Sequence, residues 1–161
     1  MTGTSAHLTA ATPDELRDLA ERIAQACAGG DVIVLTGDLG AGKTTFTQGL
    51  ARGLGIAESV TSPTFVISRV HPHPANGLSL VHVDAYRLRS LAELEDLDLE
   101  ADLDRSVVAV EWGRGLAEGL SPEGLDIVIG RSDDESDEER VVSVTARGGH
   151  WVADLPEVMA R

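Results

Sequence analysis

Hydrophobic and polar positions alternate along this chain with two different periods, and the switches between them mark its elements. Leu16, Leu19, Ala20, Ile23 and Ala24, then Cys27, recur at helical spacing and predict an amphipathic helix. Thr12-Pro13-Asp14-Glu15 writes its start as a capping box, with Thr12 as N-cap, Pro13 at N1 and Glu15 at N3. Gly29-Gly30 predicts its stop. Val32-Ile33-Val34-Leu35-Thr36 breaks the period. A β-branched run with no polar interruption predicts a buried strand. Phe46, Leu50 and Leu54 then return to one helical face, which ends near Gly53-Leu54-Gly55.

Phe65 to Val70 and Leu78 to Val83 are the next strand candidates. The turn cluster between them, His71 to Gly77, is too short for a crossover helix, so the two are expected as an antiparallel hairpin. His71 and His73, flanked by prolines, are expected as exposed loop residues rather than metal ligands. Leu91, Leu94 and Leu97, interleaved with Glu93, Glu95 and Asp96, predict a short amphipathic helix. Val107 to Val110 is continuously apolar, as a central strand would be, and closes on Glu111-Trp112. Gly113 to Gly119 leaves room for one or two helical turns. Leu125 to Ile129 and Val141 to Ala146 predict two more strands. Arg131 to Arg140 joins them through acids too dense to pack, a mobile hairpin loop by expectation. His150 to Ala160 is expected as a C-terminal helix with Trp151, Val152, Leu155 and Met159 inward.

A stretch of chemistry sits where the first strand meets the second helix. Gly37-Asp38-Leu39-Gly40-Ala41-Gly42-Lys43-Thr44 matches G-x-x-x-x-G-K-[ST] at every required position. Strand, glycine loop and helix start are what phosphate binding requires. The glycines let successive N–H groups turn inward, and the helix N-terminus adds partial positive charge. In this reading the loop residues Asp38, Leu39, Gly40, Ala41, Gly42, Lys43, Thr44 and Thr45 surround the phosphates. Lys43 reaches the β/γ-phosphates, and the Thr44 hydroxyl holds Mg²⁺. Of the thirteen basic residues, Lys43 is the only lysine. Elsewhere the chain uses arginine, so a compact ammonium is kept where a planar guanidinium would not fit between phosphates.

Length and composition fit one α/β domain over residues 1–161: 42% hydrophobic, 25% charged and 3% aromatic. A lone Cys27 gives no disulfide framework and no cysteine metal cluster, which favours the cytosol. Met1 to Thr12 lacks the basic-then-apolar order of a signal peptide, and no apolar run approaches a membrane span. Net charge is −14, with no basic stripe, so contact with RNA is expected only through a partner protein.

Ligands in open α/β sheets sit beyond the carboxyl ends of the strands, and two strand candidates end there in acids, Asp84 and Glu111. Either can hold Mg²⁺ or orient an attacking water, so Lys43, Asp84 and Glu111 are the catalytic candidates. Ser62 and Thr64 fit either a nucleotide-sensing loop or plain turn hydroxyls. Guanine recognition through Asn-Lys-x-Asp is closed to a chain whose one lysine lies in the P-loop, which favours ATP.

Four motifs in register give a resemblance. The P-loop through Phe46, Ser62-Pro63-Thr64-Phe65, His82-x-Asp84-x-Tyr86-Arg87 and Glu111-Trp112 are similar to those of the TsaE family, from Thr12 to about Val144. This family is the small ATPase of the bacterial machinery that makes threonylcarbamoyladenosine (t6A) in tRNA. The resemblance implies an α/β P-loop NTPase whose mostly parallel sheet is extended by antiparallel strands. It further implies slow ATP hydrolysis with Mg²⁺ and a cytoplasmic complex with TsaB and TsaD, which the ATPase resets between turnovers. By position, Lys43 resembles the phosphate-binding lysine, Thr44 and Glu111 the magnesium ligands, and Asp84 the acid implicated in hydrolysis. Trp112 resembles the active-site tryptophan, and Ser62 to Phe65 the switch-like loop. Asp98 and Gly113 depart from the family's usual glycine and proline, both outside the phosphate site. Two other functions are open to the same motifs. One is a small-molecule P-loop kinase, with Arg87 and Arg89 as lid arginines, though no long basic lid follows. The other is a nucleotide-gated binding module.

Overall fold

The computed structural model describes residues 4–38, 40–56, 68–75, 77–84, 104–111, 123–131 and 137–160. In chain order they form β1 (Ser5–Ala10), α1 (Pro13–Gln25), β2 (Val32–Thr36), α2 (Lys43–Gly53), β3 (Ser68–His71), β4 (Ser79–Asp84), β5 (Ser106–Glu111), β6 (Gly124–Arg131), β7 (Arg140–Ala146) and α3 (Trp151–Met159). The strands make one seven-stranded sheet in the order β1-β7-β6-β2-β5-β4-β3. β6, β2, β5 and β4 run parallel. β3 adds antiparallel to β4 at one side, and β7 then β1 add antiparallel beyond β6. The parallel α/β core with antiparallel extensions is the expected P-loop architecture.

Why β2 and β5 lack polar alternation is visible in their burial. Ile33 and Leu35, with Ala109, Leu125 and Ile127 in matching register, join the core that holds the apolar stripes of α1 and α2. One residue out of step, Val32, Val34, Val108 and Val110 are buried on the opposite face. The two helices pack tightly because small residues face each other. A Cβ on Gly49 would lie 2.4 Å from the Arg17 carbonyl oxygen and 2.7 Å from Ala20 Cβ; Gly53 meets Glu21 and Ala24 in the same way. At the rim Arg52 pairs with Asp18 and Glu21, and Arg17 donates to Gln48.

One half of the capping box is present at α1: Glu15 N–H donates to Thr12 Oγ1 at 3.2 Å, while the Glu15 carboxylate reaches past the N-cap to accept from Ala11 N–H at 2.5 Å. Several expectations need correction. α1 ends at Gln25, before Gly29-Gly30, so Cys27 lies past the helix; it still packs against the core. β1 precedes α1, where no strand was expected. His71 is fully buried on β3 opposite Leu80, and only His73 belongs to the turn. Its neighbour Pro72, lacking an N–H, marks the strand's end one residue later than expected. In α3 the buried stripe is Trp151, Leu155 and Val158; Val152 lies off that stripe and is exposed. The expected strand residues Phe65 to Ile67, the helix around Leu91 to Leu97, the turns after Gly113 and most of the acidic run lie outside the described residues.

Candidate functional site

β2 ends at Thr36, and the chain curls through Gly37 to Gly42 before α2 begins at Lys43. Gly40 and Gly42 hold φ of 79° and 114°, a left-handed backbone that side chains rarely adopt, so the curl needs glycine at both places. The start of α2 differs from that of α1 in a telling way. α1 carries a side-chain cap and two acids, Asp14 and Glu15, in its first turn. α2 has neither a side-chain cap nor an acid there. A helix start without a negative charge of its own is one whose partial positive charge favours an anion.

Lys43 is 6% exposed, and its ammonium donates to the carbonyls of Gly37 at 2.5 Å and Asp38 at 3.2 Å. Burial pushes its pKa down from 10.5, while the charges of Glu111, Asp38 and Asp84 pull it back up. The lysine therefore lies within the field of both strand-end acids. Register explains this. Asp84 on β4 pairs with Glu111 on β5, which pairs in turn with Leu35 on β2, so one row across three parallel strands ends beside the loop. Paired positions face the same side of the sheet.

One member of this row's neighbourhood, quoted above within a motif, was given no role from sequence. His82, two residues before Asp84 and so on the same face, is fully buried, and its Nε2 bonds the Glu111 carboxylate. That contact requires the tautomer with its proton on Nε2; among the described residues Nδ1 meets no partner. The i, i+2 spacing with Asp84 was the available signal.

Of the residues singled out from sequence, Asp38, Gly40, Ala41, Gly42, Lys43, Thr44 and Thr45 lie along the loop and first helical turn, with Asp84 and Glu111 alongside. Leu39, Ser62 to Phe65, Tyr86, Arg87 and Trp112 fall outside the described residues. The oxygens of Thr44, Asp84 and Glu111 are hard donors of the kind magnesium takes, while no group of three or more His, Cys, Asp or Glu among the described residues could hold a metal ion by itself. Burial and then the Asp31 charge raise the Cys27 thiol well above its usual range, which disfavours the thiolate. No helix among the described residues is long and apolar enough to cross a membrane.

Comparison with known proteins bears on this site. Residues 10–142 match the family model described as threonylcarbamoyl adenosine biosynthesis protein TsaE. A Streptomyces coelicolor protein named tRNA threonylcarbamoyladenosine biosynthesis protein TsaE is 50% identical over 147 residues, covering 90% of this chain and 99% of that one. A Bacillus subtilis protein of the same name is 43% identical over 140 residues, covering 86% and 84%. Among solved structures, that of Bacillus subtilus YdiB superposes with a TM-score of 0.79 at 34% identity, over 99% of this chain and 97% of its own.

Proposed function

The chain belongs to the TsaE family of t6A biosynthesis proteins, and from that premise we propose that it is a magnesium-dependent ATPase driving a TsaB–TsaD-type complex in the cytoplasm. The observation that carries the reading is the convergence on one loop: a buried lysine over the P-loop carbonyls, with Asp84 and Glu111 in register beside it. Asp38 to Thr45 bind the phosphates through main-chain N–H groups. Lys43 leaves its carbonyl partners to neutralise charge on the β/γ-phosphates. Thr44 and Glu111 are the residues that would hold Mg²⁺, which when bound supplies electrostatic stabilisation of the transferring phosphoryl group. Asp84 orients the attacking water, and His82 fixes the rotamer of Glu111. Leu39 and Trp112 join the nucleotide-binding set by their places in the two sequence motifs.

Net charge of −14 places tRNA contact on the partner proteins. The test mixes this protein with a purified TsaB–TsaD-type complex, ATP and tRNA, then follows phosphate release and modified nucleoside. The expected result is a raised ATPase rate and repeated modification cycles. Glu111→Gln should still bind nucleotide while hydrolysis falls by about two orders of magnitude. An unchanged ATPase rate, with full cycling in this protein's absence, refutes the role and turns attention to a kinase acceptor.

A further inference from the structure

The hairpin end of β6 and β7 reaches back to the phosphate loop over 99 and 100 residues of chain. Arg131 and Arg140 face each other as the last cross-strand pair of that hairpin. From there Arg140 Nε donates to the Ala41 carbonyl at 2.8 Å and Nη2 to the Gly40 carbonyl at 3.4 Å. The same guanidinium turns Nη1 to the carbonyls of Asp137 at 3.2 Å and Glu139 at 3.0 Å. Arg131 lies alongside, its Nη1 3.2 Å from where a Cβ on Gly40 would sit. Acids are plentiful on this stretch, yet all four of these bonds go to main-chain carbonyls. A phosphate loop works by turning its N–H groups inward, and each inward N–H turns a neighbouring carbonyl outward. Those outward carbonyls need donors. Before nucleotide arrives Lys43 serves Gly37 and Asp38. Arg140 serves Gly40 and Ala41, beyond Leu39.

We propose that Arg140 is a positioning residue for the phosphate loop, its guanidinium clamping the Gly40 and Ala41 carbonyls to the hairpin so that the loop is curled before nucleotide arrives. A fork of five rigid donors suits this task, and a lysine cannot bridge both chain segments. Loop order established in advance lowers the ordering cost of binding, so the effect falls on affinity rather than on the chemical step. Arg140 touches no reacting atom.

The inference rests on the nucleotide-binding reading above, and the experiment separates the two. ADP with magnesium is titrated calorimetrically into the wild-type protein, Arg140→Ala and Arg140→Lys, alongside kcat for ATP hydrolysis and amide exchange without nucleotide. Loss of one charged hydrogen-bond set should weaken ADP by about tenfold in the alanine variant, with kcat within about twofold of wild type. Ala41 N–H, which donates to the Asp38 carbonyl at 2.9 Å and so reports the curl, should exchange faster in the variant. Arg140→Lys should fall between. Where Arg140→Ala lowers the unfolding midpoint, the lysine variant carries the test. Undiminished ADP affinity and unchanged Ala41 exchange in a folded variant overturn the inference alone. A wild-type protein that binds no ADP overturns the nucleotide reading and this inference with it.

Discussion

Replacing His82 with leucine tests whether the row of polar residues beneath the phosphate loop is held together as described. The side chain is fully buried, and Glu111, its partner, is 6% exposed. Leucine fills much of the ring's volume, so the main loss is the hydrogen bond to a carboxylate left with little water. Truncating one partner of a buried charged pair costs about 3–5 kcal/mol, and a single hydrogen bond to a charged group contributes about 1.5–3 kcal/mol. Glu111 retains the attraction of Lys43, whose pKa it raises, so the low end applies and a loss of about 2 kcal/mol is expected. For a chain of this length that lowers the thermal midpoint by about 4–8 °C. Glu111→Gln, which keeps an acceptor for Nε2, should lower it by less than half as much. The double variant His82→Leu/Glu111→Leu should recover most of the loss, because removing both partners leaves nothing stranded. Thermal unfolding of the four proteins at neutral pH decides it. A midpoint for His82→Leu within 1 °C of wild type, by the same conversion at most about 0.5 kcal/mol, refutes the pairing as a stabilising contact.

Three further outcomes follow from named contacts. Lys43→Ala removes the lysine cation from the phosphate loop and should weaken ADP by more than about a hundredfold in a calorimetric titration; unchanged affinity refutes the loop's role. Gly49→Ala gains about 1 kcal/mol of helix propensity but drives a methyl to within 2.4 Å of the Arg17 carbonyl, a backbone atom that cannot swing aside. Overpacking should win and destabilise the protein by about 1–2 kcal/mol in urea unfolding, and a more stable variant would contradict the packing of α1 on α2. His150 bonds Asp31 at 2.9 Å and Asp154 at 2.7 Å; desolvation opposes its charge, but these two carboxylates raise its pKa above 6.5 overall. The folded state then binds the extra proton, so its stabilisation is full below 6.5 and fades as pH rises through the raised value. The stability gap between wild type and His150→Gln should accordingly shrink from pH 6 to pH 9, and a gap that widens reverses the sign of the argument.

What could be read from the residues alone was whatever the chain states locally. The P-loop follows β2 and precedes α2 without a break, so strand, loop and helix announce one another within about a dozen positions. The α1 cap is local in the same sense. β1 is the opposite case. Ser5-Ala6-His7-Leu8-Thr9-Ala10 alternates polar and apolar at every position, but two of its three inward residues are alanines, so the signal is faint and the strand is completed by pairing with β7, Ser5 opposite Thr145. His71 was misread because the prolines after it signal a turn, while the pairing with Leu80 keeps the strand going for one more residue. From sequence Gly53 reads only as a helix end and Gly49 not at all; their four-residue spacing against Ala20 and Ala24 gains its meaning when the two helices are set face to face.

The same distinction explains why the two strand-end acids could be singled out from the sequence and the side chains that contact their surroundings could not. Asp84 and Glu111 end strands, a position that can be read from hydrophobic runs alone. His82 acquires its role from the register of β4 against β5, which carries it to a carboxylate 29 residues away. Arg140 ends an acidic run where sequence suggests a solvated loop, and folding brings it to Gly40, 100 residues back. Both supports hold a functional group by its less visible side: the buried face of the Glu111 carboxylate, and the outward carbonyls of the phosphate loop. Groups that would touch the ligand must lie where strands end and helices begin, because there the main chain leaves donors and space. Groups that orient them have no such address. They occupy whatever position tertiary pairing brings within about 3 Å, so an unexplained buried histidine or an arginine bonded only to carbonyls is the structural sign by which they are found.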